Sequence, residues 1–108
     1  MKRAPAPLLP PITEAEFQAQ LVQLARWLGW KMIYHTYRSD KSTAGFPDLC
    51  LIRQPPPPPA RLLVAELKRE GRKPTAAQQE WLEAFRACGV EAYCWTPADW
   101  PAIERVLR

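Results

Sequence analysis

The chain has 108 residues, 47% of them apolar and 24% charged, which bounds it to one domain with a single core and argues against wholesale disorder. Fifteen lysines and arginines against eleven acids leave a net charge of +4, and arginine dominates the basic set, a bias toward anionic partners that present paired oxygens. Three cysteines with no Cys-x-x-Cys spacing and a single histidine, His35, argue against a zinc site or disulfide framework, and no apolar run approaches the roughly 18 residues of a membrane span, so the chain reads as soluble and intracellular (cytoplasmic).

Residues 1–11 are proline-rich and are expected to form an extended, poorly ordered lead-in to a domain spanning residues 12–108. Thr13 is the expected N-cap of a first helix, with Glu14 and Glu16 in the turn where the helix dipole favours acids. Phe17, Leu21, Leu24 and Leu28 recur at helical spacing and define its buried face. Glu14 shares that face, whereas Glu16 aligns with Gln20 and Gln23 on a more polar side, and Gly29 ends the helix. Lys31–Arg38, rich in aromatic and β-branched residues, predicts the first strand. In the polar loop that follows, Arg38, Ser39, Lys41, Ser42 and Thr43 are candidate phosphate contacts, and Gly45 is expected to supply a backbone conformation or close approach that a side chain would prevent.

Pro47–Arg53 predicts the second strand and Arg61–Arg69 the third. Between them the run Pro55–Pro59 cannot donate ladder hydrogen bonds, so it reads as a stiff exposed connection, with a ligand for a proline-recognising partner as the other reading. Arg69, Arg72 and Lys73 extend the basic surface just beyond the third strand. Thr75-Ala76-Ala77-Gln78 has the form of a capping box opening a second helix, whose stripe is Trp81, Leu82 and Phe85 and whose end is Gly89. Val90–Trp95 predicts a fourth strand, and Pro97 leads into a last short helix ending near Leu107. The order α-β-β-β-α-β-α predicts an α/β (α+β) fold, a small mixed sheet flanked by helices. Trp27, Trp81 and Trp95 are expected in the core and Trp30 at the first helix-to-strand turn, while Cys50, in an apolar run, reads as a reduced core thiol.

Two carboxylates and a lysine stand inside those apolar strands: Asp48 in Phe46-Pro47-Asp48-Leu49-Cys50-Leu51-Ile52, and Glu66 and Lys68 in Leu62-Leu63-Val64-Ala65-Glu66-Leu67-Lys68. Burying charge there is costly unless the groups pair or bind a metal. If the second and third strands pair, Asp48 and Glu66 converge at one end of the sheet as a hard oxygen site suited to Mg2+ or Mn2+, with the Leu67 carbonyl as a further ligand and Glu14 completing the acidic shell. Lys68, on the same strand face as Glu66, is placed to orient a water or stabilise a phosphorane-like transition state. A surface Glu66–Lys68 pair and a turn role for Asp48 are the plainer readings of the same residues.

Gly45-Phe46-Pro47-Asp48-Leu49, then Glu66-Leu67-Lys68, then Gln78 three residues before Trp81, preceded by Glu14 and Gln18 in the first helix, resembles the VRR-NUC nucleases of the wider PD-(D/E)xK, restriction-endonuclease-like group. The resemblance runs from about residue 12 to the C-terminus. It implies that Asp48 and Glu66 bind the metal, that Lys68 is the catalytic lysine, that Glu14 (with Glu16 as the alternative) is the helix-borne acid, and that Gln78 holds the site or contacts DNA. It further implies a metal-dependent DNA endonuclease, structure-selective for branched DNA such as four-way junctions and acting as a homodimer, as in small phage or bacterial members. The alternatives are a non-catalytic DNA-binding module of the same fold and an adaptor built on the proline run. The proline connection is longer than a tight hairpin and leaves the register of the two site-bearing strands open.

Overall fold

The computed structural model describes residues 3–6, 12–37 and 43–108. Helix α1 spans Glu14–Trp27. Its start is fixed by a reciprocal cap: the Thr13 hydroxyl accepts from the Glu16 N–H at 3.0 Å, and the Glu16 carboxylate accepts from the Thr13 N–H at 2.9 Å. Glu16 is thus engaged in the cap of α1. Its carboxyl is held below the usual range by the Thr13 backbone bond. Of the proline-rich lead-in, residues 3–6 lie against α1, where Ala4 packs on the core and the Gln20 side-chain amide donates to the Ala6 carbonyl.

Strands β1 (Met32–His35), β2 (Leu49–Arg53), β3 (Arg61–Leu67) and β4 (Glu91–Trp95) form one sheet in the order β1-β2-β3-β4. The first two pairings are antiparallel and the third is parallel, with helix α2 (Ala76–Ala87) as the crossover. All four strands are shorter than the sequence pattern suggests. The register left open by the proline connection runs from Arg53↔Arg61 to Leu49↔Ala65. A 3-10 turn at Pro97–Asp99 leads into α3 (Trp100–Leu107). No described helix is long and apolar enough to cross a membrane.

Strand alternation sorts the side chains onto two faces. Leu49, Leu51, Leu63, Ala65, Leu67 and Trp95 meet Phe17, Leu21 and Leu24 of α1 and Ile103 and Leu107 of α3. On the opposite face Val64 and Ala92 pack under Leu82 and Phe85 of α2. Trp95 is in the core as expected. Trp27 is not: it is exposed on the last turn of α1, off the Phe17–Leu21–Leu24 stripe. The indole buried in its place is Trp30, which follows Gly29 and donates from Nε1 to the Leu107 carbonyl at 2.8 Å.

Arg53 and Arg61, opposite each other at the base of the proline connection, both lie over the Trp30 ring, at 5.2 and 5.0 Å from its centroid. They donate to the last carbonyls of α3, Arg53 to Leu107 at 3.1 Å and Arg61 to Val106 at 2.9 Å. Arg61 also grips Glu91 through two bonds of 2.9 and 2.6 Å. Two like charges side by side are thus neutralised by a helix C-terminus, a ring face and a carboxylate.

Candidate active site

The end of the sheet opposite the proline connection carries the candidate residues Asp48, Glu66 and Lys68. Leu49↔Ala65 is the last bridging pair of β2 and β3, and continuing that register sets Asp48 opposite Glu66 on the face that α2 covers. Backbone pairing stops there. The Pro47 carbonyl is taken by the Thr36 hydroxyl at 2.7 Å, and the Asp48 carbonyl by the Thr36 N–H at 2.8 Å. The Asp48 carboxylate then turns inward and accepts the Leu67 N–H through Oδ2 at 2.8 Å. A side chain has replaced a rung of the ladder, which fixes its orientation.

Glu66 is 1% exposed, the one buried charged side chain among the described residues. Neither of its carboxylate oxygens has a hydrogen-bond donor among those residues. Its nearest cation is Lys68, whose Nζ lies 3.5 Å from Oε2. Burial, followed by the charge and close approach of Asp48, pushes the Glu66 carboxyl up to about 8, against the weaker opposing pull of Lys68. Two carboxyls this close hold a proton between them or a cation beside them. Cys94, the register partner of Glu66 on β4, is raised as well, first by burial and then by Glu66.

The loop that delivers Asp48 is anchored to α2. Phe46 meets Trp81 edge-on at 5.1 Å and Phe85 at 5.9 Å, and Trp81 Nε1 donates to the Ala44 carbonyl at 3.2 Å. Trp81 is therefore a half-buried clamp on the loop, where the sequence pattern suggests a core residue. Gly45 makes the clamp fit: its φ is +87°, and a Cβ there would come within 2.5 Å of the Ala77 carbonyl carbon and 2.8 Å of the Gln78 nitrogen. Gly45→Ala is expected to destabilise the fold by about 2–4 kcal/mol, combining left-handed strain with backbone overlap. A urea titration checks this, and an unchanged midpoint would refute the close approach.

Gln78 lies at the junction of this loop and α2. Its side-chain oxygen accepts the Thr75 N–H at 2.8 Å and the Thr75 hydroxyl accepts the Gln78 N–H at 3.2 Å, the capping box read from the sequence. Glu14 is half-buried at the first residue of α1. Among the described residues no group of three His, Cys, Asp or Glu side chains is gathered closely enough to hold a metal. Thr43, Arg72 and Lys73 are exposed, while Arg38, Ser39, Lys41 and Ser42 lie outside the described residues.

A four-stranded mixed sheet between helices thus brings Asp48 and the Glu66-Leu67-Lys68 end of β3 together at one end. The VRR-NUC domain family model matches residues 11–97, and the chain belongs to that family. A solved structure described as a VRR_NUC domain protein is similar at a TM-score of 0.62 and 24% identity, over 88% of this chain and 85% of that one. No curated protein matches the sequence.

Proposed function

We propose that this VRR-NUC protein is a divalent-metal-dependent endonuclease that hydrolyses DNA phosphodiester bonds. The observation that carries the proposal is Glu66: a buried carboxylate with two undonated oxygens, beside Asp48 and within reach of Lys68. Those oxygens, with only Lys68 at 3.5 Å as counter-charge, fit a hard cation that would further offset the cost of their burial. Asp48, Glu66 and the Leu67 carbonyl would hold Mg2+ or Mn2+, which supplies an activated water and neutralises phosphate charge when bound.

The chain's own groups do the rest. The Leu67 N–H holds Asp48 in place, so no reorganisation is needed when substrate arrives. Lys68 presents its ammonium beside the carboxylates, where it orients the attacking water and balances the negative charge that develops on the phosphoryl oxygens. Glu14, as a further acid toward the metal, and Gln78, at the heads of the two helices, complete the proposed set. Thr43, Arg72 and Lys73 would contact the nucleic acid backbone, joined by Arg38, Ser39, Lys41 and Ser42. The family resemblance supports branched DNA as the substrate and a homodimer, whose two-fold symmetry would present two sites to a four-way junction.

The test is incubation with linear, flapped and four-way-junction DNA in Mg2+, Mn2+ or chelator. Cleavage in either metal and none in chelator is expected, with branched substrates cut fastest. Binding in chelator with no cleavage under any divalent metal would replace the enzyme by a DNA-binding module of the same fold.

A further inference from the structure

The sheet face that carries Asp48, Glu66 and Lys68 is only partly covered. Helix α2 packs on Val64 and Ala92, over β3 and β4. On the other half of that face the register lines up Met32, Ile52 and Leu62 in one row and Tyr34, Cys50 and Val64 in the next. Met32 is 52% exposed, Tyr34 59% and Leu62 41%. Lys31, Met32, Ile33, Tyr34, Cys50 and Ile52 line an open depression there. Continuing the rows brings Thr36 opposite Asp48, so Tyr34 and Asp48 are diagonal neighbours on one face, with Cβ atoms roughly 7 Å apart.

This shelf has a definite chemistry. Three well-exposed apolar side chains fall far short of the ~20–30 residues a side that a stable protein interface needs. An apolar floor does not bind phosphate. An open tyrosine ring beside aliphatic and thiol groups does match the flat face of a nucleobase, and Lys31 at the rim supplies charge for the backbone. In an intact duplex both faces of every internal base are already stacked, so a base can reach the shelf only when it is unpaired.

We propose that Tyr34, with Met32, Cys50 and Ile52, forms a stacking shelf for an unpaired base beside the scissile position at the Asp48–Glu66 end of the sheet. The favoured substrate is then nucleic acid with an unpaired nucleotide at the cut, such as a flap or branch. This rests on the nuclease reading and adds to it the residue that selects the substrate. Tyr34 is a positioning residue.

The test is binding in chelator of a fluorescein-labelled flapped duplex and of a fully paired duplex, with a second flapped probe carrying 2-aminopurine as the first unpaired base. Tyr34→Ala is expected to weaken flapped DNA about 5- to 100-fold while paired DNA changes less than about twofold. Tyr34→Phe and Tyr34→Trp should restore affinity and the quenching of 2-aminopurine. Trp27→Ala, which removes an exposed ring on α1, should change neither. The proposal is overturned if Tyr34→Ala weakens both DNAs equally or neither, or if Tyr34→Phe fails to rescue. Failure of the nuclease reading would show separately, as absent cleavage with the binding difference intact.

Discussion

Asp48→Asn is expected to separate stability from activity in opposite directions. The asparagine side-chain oxygen can still accept the Leu67 N–H that Asp48 accepts at 2.8 Å, so the local geometry survives. What disappears is one negative charge beside Glu66. Folding at pH 8 should therefore become easier, by about 1 kcal/mol or more, because a like-charge contact that raises the Glu66 carboxyl has been removed. DNA cleavage should fall at least ~10³-fold, since the proposed cation loses a charged ligand. Lys68→Ala should lower activity comparably but reduce stability, because it strips Glu66 of the ammonium 3.5 Å away. Melting curves beside cleavage assays check both variants. Full activity in either would remove the residue from the site, and a destabilised Asp48→Asn would show that the carboxylate charge itself is needed for folding.

The second large effect is a pH dependence of stability in the absence of divalent cations. Burial and Asp48 push the Glu66 carboxyl up to about 8 in the folded chain, against an ordinary 4.5, so between those values the folded state keeps a proton that the unfolded state has lost. Stability supplied by that proton is full below about pH 4.5, declines as pH rises toward 8, and is gone above it. The groups facing Glu66 are Asp48 from the β2 end, Lys68 on its own strand and Cys94 on β4. Denaturant titrations at pH 6 and pH 8.5 in chelator should differ by roughly 2–4 kcal/mol, and Glu66→Gln should remove most of the difference. Millimolar Mn2+ should also flatten the slope, by offering the carboxylates a cation in place of the proton. A slope unchanged in Glu66→Gln would mean that other groups carry it. Glu91 acts in a separate window: Arg61 depresses its carboxyl, so its contribution is lost only as pH falls below the ordinary carboxylate range.

Much of this fold was legible because each element carries its own punctuation. The Thr75–Gln78 box, the glycines at 29 and 89, and the alternation around Asp48 and Glu66 are local signals, and the observed order of elements follows from them. The pairing of Asp48 with Glu66 was legible as a condition, since it needed β2 and β3 to be neighbours, and β-register is set across the whole sheet. Other features left weaker marks. Thr13-Glu14-Ala15-Glu16 has the same capping-box spacing as the second helix, a local signal for the cap that Glu16 makes. The contrast between Trp27 and Trp30 depends on where a helix face and a following turn meet α3, which periodicity alone does not encode. The seat of Asp48 on the Leu67 N–H is tertiary as well: nothing in either segment shows that a carboxylate will substitute for a rung.

The proline connection has a practical meaning that follows from where it lies. Residues 54–60 are all exposed and emerge from the ends of β2 and β3 farthest from Asp48 and Glu66. The five-residue β2 puts roughly 17 Å between them and the carboxylates. At their base Arg53, Arg61 and Trp30 bolt the two strands to α3, so the tip can be altered without loosening what lies beneath. The tip is therefore a natural handle: a fluorophore, a surface tether or a fused module could be attached there while the working end of the sheet stays turned toward solution and open to substrate.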